Sequence, residues 1–199
     1  MLFTCQRSGK CCTHPHIVVT LTHMDLWALF EQVQNIEDLL KLIQFIVLSD
    51  EDEQKELVLH KIQTTHGKGM FILRKHADSK CIFYDESKST CDIHEFRPQA
   101  CRNFPFAFSE KDNHIQVSLV KNAHSFCMGI GKGKDYKKEE LKHIGKNTLA
   151  VIKEYNETVA EINKELVKNK ALTPQDALLT LLLVAEKNKE KNKLELQIL

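Results

Sequence analysis

The chain has 199 residues, enough for one sizeable domain with a helical extension. Lys plus Arg is 28 against 27 for Asp plus Glu, a net charge of +1, so no global field favours nucleic acid or an anionic membrane as partner. The opening MLFTCQRSGKCC carries charge where an export signal would be apolar, and the most apolar run, Ala177 to Ala185, is far below the ~20 residues of a spanning helix. The expectation is a protein of the cytoplasm, where thiols stay reduced. There, seven cysteines point to metal or catalysis more than to disulfides.

The predicted elements alternate helical and extended patterns. Ile17–Leu21 is β-prone and reads as a short strand leading away from the first cysteines. Thr22 and Asp25 have the spacing of a capping box, and Met24, Leu26, Trp27, Phe30 and Val33 give a first helix its apolar face. A second helical pattern runs from Ile36 through Ile46 to the acidic cluster Ser49–Glu53, read as a solvated loop. Two β-prone runs between Leu57 and Arg74 flank His66-Gly67-Lys68-Gly69 as a hairpin. Strand character returns at Cys81–Tyr84, and Asp85–Thr90 brings the chain back to Cys91. Pro98 disfavours helix at Arg97, which bends the backbone before Cys101. Phe104–Phe108 and His114–Val120 read as another hairpin.

Cys127 then opens a glycine-rich stretch, Gly129, Gly131 and Gly133, read as a turn or linker because it lacks the spacing of a phosphate loop. From Leu141 the apolar positions Ile144, Val151, Tyr155, Val159, Ile162 and Leu166 predict one long amphipathic helix. Thr173 and Pro174 start a final helix, whose leucines after Leu178 read as a buried face and whose Lys187–Lys193 end reads as solvated. The fold class expected is α+β: a small cysteine-rich metal-binding domain with short antiparallel hairpins and N-terminal helices over 1–133, then a C-terminal helical hairpin over 134–199. That hairpin is also the expected docking surface for a protein partner.

The chemistry lies in Cys5, Cys11, Cys12, Cys81, Cys91, Cys101 and Cys127, all within the first 127 residues. Thiolate is the soft ligand that zinc and iron-sulfur clusters select, typically four per site. Cys11 and Cys12, if extended, point to opposite faces, which suggests two centres or a bridged pair. His14, His16 and His94 stand as reserve nitrogen ligands. Arg97 and Arg102 are positioned to offset the roughly −2 formal charge of a four-thiolate divalent site.

Phe3, Cys5, Gly9, Cys11 and Cys12 resemble the opening of the YkgJ-type cysteine-cluster family, described as zinc- or iron-chelating. Cys81 with Phe83, then Cys91, Ile93, His94, Arg97, Pro98, Cys101, Arg102, Phe104 and Pro105, resemble its later blocks, and Leu21, Thr22 and Asp25 its Leu-Thr-x-x-Asp element. Cys127 with the glycines after it resembles the family's closing Cys-Pro-Gly, with Met128 in the place of proline. One extra residue is read between Cys5 and the Gly9-x-Cys11-Cys12 element. The resemblance implies a metal-binding protein of structural or accessory role with zinc or iron, including an iron-sulfur cluster, as cofactor. Because the family includes a flagellin lysine N-methylase, a metal- or cluster-dependent group-transfer enzyme is the alternative, and a metal-handling or redox-sensing protein the third.

Overall fold

The computed structural model of the chain describes residues 1–49, 58–169 and 172–196. They form an α+β structure of short antiparallel sheets with helices near the N-terminus and two at the C-terminal end. Two compact units each draw on separated parts of the chain. One comprises Met1–Val19 with Arg74–Leu149, and the other Thr20–Leu73 with Ala150–Leu199.

In the first unit, β1 (Leu2–Phe3) pairs antiparallel with β9 (Lys134–Asp135). The hairpin β7 (Phe106–Lys111) and β8 (His114–Leu119) turns through Asp112 and Asn113, whose φ of 51° and 59° suit a two-residue turn matched to strand twist. Phe3, Phe106 and Leu141 form its apolar cluster, with Phe108, Cys127, Ile130 and Tyr136 packed against it. A smaller hairpin joins β5 (Tyr84–Asp85) to β6 (Thr90–Cys91), and α3 (Gln99–Asn103) follows the bend at Arg97, whose ψ of 149° is the extended value a following proline imposes. The helix α4 (Lys138–Asn169) starts in this unit.

The second unit opens on α1 (His23–Val33). Thr22 Oγ1 accepts from Asp25 N at 3.3 Å and Asp25 Oδ2 accepts from Thr22 N at 2.9 Å, the reciprocal cap that the sequence implies. Helix α2 (Ile36–Leu42) is shorter than its pattern. From Ile43 the chain becomes β2 (Ile43–Val47), because this β-branched and aromatic run pairs along β4 (Gly67–Leu73), which also pairs with β3 (Ile62–Thr64). Tertiary pairing overrides a local helical period there. The Ile17–Leu21 strand is likewise not formed; only Thr20 bridges, to Ile72, and Leu21 N donates to Phe71 O at 3.0 Å. Of the acidic cluster, Asp50–Glu53 lie outside the described residues, as does Leu57.

The C-terminal helices are integral to this unit. On α4, Asn156 and Asn163 stand two turns apart and read the same edge: Asn156 bonds His60 N and Val58 O, and Asn163 bonds Gln63 N and Lys61 O, all between 2.7 and 3.0 Å. These side-chain amides satisfy backbone groups that an edge strand leaves unpaired. Helix α5 (Pro174–Leu196) is capped by Thr173 and Asp176 and continues through Lys187–Lys193. Ala177, Leu178, Leu181, Leu182 and Ala185 are buried, whereas Leu179 and Leu183 are exposed, so the leucine run is not a single buried face.

His23 is fully buried, with neither ring nitrogen hydrogen-bonded within the described residues and Nε2 3.7 Å from Glu154 Oε1. Burial holds its pKa below the usual value, only partly opposed by Glu154 and Asp25. The unfolded chain therefore binds a proton that the folded chain resists, and stability is fully present above pH ~6.5 and lost as pH falls from there towards the folded pKa. The unfolding constant should rise by up to about tenfold per pH unit below 6.5 in denaturant titrations. His23→Phe should flatten that dependence, and an unchanged slope in the variant would show that another group carries it.

Candidate metal centre

Gly9 organises the first cysteines. Its φ of +67° is a left-handed value, and Cys12 N and Thr13 N both donate to Gly9 O, at 2.8 and 2.9 Å. Cys11 and Cys12 therefore lie in a tight turn rather than an extended segment, and their Sγ atoms stand 4.0 Å apart. This overturns the expectation that they face opposite ways: in a turn, consecutive side chains need not alternate.

The same turn is seated on the second cysteine segment. A Cβ on Gly9 would sit 2.2 Å from Tyr84 Cε2, so only glycine lets the backbone approach that ring. Tyr84 is paired with Cys91 across β5 and β6. Cys81 N donates to Cys12 O at 2.8 Å, and Tyr84 N to Cys81 O at 3.0 Å. Asp85 Oδ1 accepts from Ser87 N and Lys88 N, which fixes the turn that returns the chain to Cys91. One patch of backbone thus brings Cys11, Cys12, Cys81 and Cys91 together from three places in the sequence.

The thiols also interact electrostatically. Contact with Cys12 favours the thiolate of Cys11 and that of Cys91, holding the pKa of each down to about 7, with burial opposing and Arg97 assisting; Cys12 has a single proton, so it serves one of them at a time. Cys12 itself is pushed up, first by donation to Cys11 and then to Cys91. Burial pushes Cys81 up, against a smaller opposing effect of Lys75. One thiol of this group is thereby favoured to ionise near neutral pH, the form in which sulfur binds metal. The Cys11–Cys12 spacing of 4.0 Å is close to the ~3.8 Å between sulfurs on a tetrahedral zinc with Zn–S of ~2.3 Å. Among the described residues no three His, Cys, Asp or Glu side chains are already closed to metal-holding geometry.

The remaining sequence candidates also belong to the first unit. Cys5 is exposed, Cys101 is part-buried on α3, and Cys127 packs beside Phe3 and Phe106. His94 has both ring nitrogens engaged: Arg97 Nη1 meets Nε2 at 2.7 Å, and Glu95 Oε1 lies 3.2 Å from Nδ1. His14 Nδ1 accepts from His16 N at 3.3 Å, and its ring packs on Phe126 with centroids 4.6 Å apart. The glycine run serves the N-terminal strand. Cβ atoms on Gly129 and Gly133 would collide with Thr4 O at 2.3 Å and Thr4 Oγ1 at 1.9 Å, and Gly131 N donates to Leu2 O at 2.9 Å. No sequence signal marked Tyr84 as the surface on which the Gly9 turn rests. Gly9→Ala should destabilise the chain by about 1–3 kcal/mol or more, through steric overlap and a strained φ, read as a shifted denaturant midpoint.

A family model described as "CxxCxxCC: Putative zinc- or iron-chelating domain" matches residues 4–128, more than half the chain. Laid on the sequence without a gap, that pattern puts its cysteines at 5, 8, 11 and 12, so Cys5, Cys11 and Cys12 keep the spacing and Ser8 stands in the second place. Comparison with curated proteins and with solved structures gave no match. No helix of the described residues is long and apolar enough to cross a membrane. On the family match the chain belongs to the CxxCxxCC family, whose described role is the chelation of zinc or iron.

Proposed function

We propose that the chain is a metal-binding protein in which Cys11, Cys12, Cys81 and Cys91 hold a zinc ion, an iron ion or an iron-sulfur cluster, in a structural or accessory role. The observation that carries this reading is the convergence of the cysteine segments: the Cys11 and Cys12 Sγ atoms stand 4.0 Å apart, Cys81 N donates to Cys12 O, and Cys91 pairs with the Tyr84 on which the Gly9 turn rests. The donor set fits the group: four soft sulfurs are what zinc and iron-sulfur clusters select, and His94, with both nitrogens engaged, is not needed. Bound metal would supply soft Lewis-acid or cluster chemistry at this point. Arg97, whose charge favours the thiolates of Cys11 and Cys91, offsets part of the negative charge of the assembled centre. A reducing cytoplasm is the compartment this chemistry suits.

The rival reading, a group-transfer enzyme such as a lysine methylase, asks for a cofactor pocket near Gly129–Gly133. There Phe3 and Thr4 already fill the faces of Gly129 and Gly133, which favours a structural use of that stretch.

Anaerobically purified protein should carry stoichiometric zinc and be colourless, or be brown with iron and acid-labile sulfide. Folded, metal-free protein with seven titratable thiols would overturn the proposal. Structural zinc contributes an apparent ~10–16 kcal/mol in small domains, so chelation should lower the melting temperature sharply. Cys91→Ser and Cys12→Ser should each release the metal in elemental analysis. Absence of S-adenosylmethionine binding by the metal-loaded protein, measured by calorimetry, is expected if the methylase reading is wrong.

A further inference from the structure

We infer that the exposed face of α5 pairs antiparallel with the same face of a second copy of this chain. Helix α5 is apolar on two sides. Ala177, Leu178, Leu181, Leu182 and Ala185 are buried, and packing within the second unit accounts for that side. Leu179 and Leu183, one turn apart, are 42% and 58% exposed on the other. The core within the chain has no use for this second pair. Adjacent apolar side chains framed by polar and charged ones are the pattern of a contact surface.

The residues around the leucines identify the partner. Gln175 and Asp176 lie one turn before Leu179, and Glu186 and Lys187 one turn after Leu183, and all four are exposed. Eleven residues separate Asp176 from Lys187, and likewise Gln175 from Glu186, close to three full turns, so each pair follows one flank of the leucine stripe. An antiparallel two-fold exchanges the ends of the helix and keeps each flank on its own side. Asp176 then meets the partner's Lys187, Gln175 meets the partner's Glu186, and Leu179 meets the partner's Leu183. A parallel pair in register would instead set like charge beside like charge. The face is thus complementary to itself in charge and in shape, as an isologous contact requires. Asp176 is also held in place, since its Oδ2 accepts from Thr173 N and Oγ1 at 2.9 and 2.7 Å, which lowers the cost of ordering it in an ion pair. A contact of about three turns lies at the small end of specific interfaces, which begin near ~1,200 Å² of buried surface, so the dimer is weak and concentration-dependent.

The test is sedimentation equilibrium of the full chain, purified anaerobically and kept in reductant, up to near-millimolar concentration. Wild type should pass from monomer to dimer. Leu183→Glu, a change at an exposed position whose fold circular dichroism checks, should raise the dissociation constant by about tenfold or more. Gln175→Lys should lower it by about threefold, because two new exposed ion pairs with Glu186 form in the antiparallel dimer. Zero-length carbodiimide coupling of wild type should join Asp176 to Lys187. Eleven residues of helix span ~16 Å, so that link forms only between copies. A chain that stays monomeric at every concentration would overturn the inference, including one that holds an unrelated protein on this face. So would a dimer that a folded Leu183→Glu variant leaves unchanged. A dimer weakened by Gln175→Lys, or one that yields no Asp176–Lys187 link, would overturn the antiparallel arrangement. None of these readouts involves metal, so their failure leaves the chelation reading standing.

Discussion

The contact on which the cysteine chemistry depends is the seat of the Gly9 turn on the Tyr84 ring. A left-handed glycine bends the chain so that Cys11 and Cys12 lie side by side, and the absence of a Cβ lets that bend rest on the strand paired with Cys91. The Cys81 to Cys12 backbone hydrogen bond locks the same approach from the other side. Once those contacts form, the thiols need no further guidance to interact, and Arg97 lies where its charge favours two thiolates. Backbone geometry brings the segments that carry these cysteines together, though among the described residues no three such side chains are closed to metal-holding geometry.

The rest of the first unit supports this contact indirectly. Its apolar cluster is small, centred on Phe3, Phe106 and Leu141. Glycines 129 and 133 let the 129–133 stretch wrap closely around Thr4, so the N-terminal strand and the segment after Cys127 hold each other. A unit with so few large buried side chains is the kind that gains most from a bound ion. The second unit contrasts with it: Leu21, Leu26, Leu29, Leu39, Ile43, Ile62, Tyr155, Leu178 and Leu181 are all almost wholly buried there. Its weak point is the buried, unbonded imidazole of His23.

Much of this was legible along the chain, and what was legible shares a cause. The capping box at Thr22, the cap at Thr173, the hairpin of β7 and β8 and the bend before Pro98 are decided by neighbours a few residues apart, so local spacing reveals them. The places where spacing misled are decided at long range. Ile43–Val47 carries a helical period and a β-branched composition at once, and its pairing with Gly69 to Leu73 settles the choice. Leu179 and Leu183 look like core until the helix they belong to has been placed.

By itself the sequence determined the donor types and their grouping: seven soft thiols confined to the first 127 residues, in a pattern that its family match identifies with zinc or iron chelation. It could not say which thiols share a site, because Cys12, Cys81 and Cys91 are separated by tens of residues and a vicinal pair can face one way or two. Only the tertiary structure brings their segments together, through a positive φ at Gly9, a steric allowance of one missing methyl group against Tyr84, and hydrogen bonds between residues distant in sequence. Ligand chemistry is a property of residue type and is written locally; ligand geometry is a property of chain closure and is not.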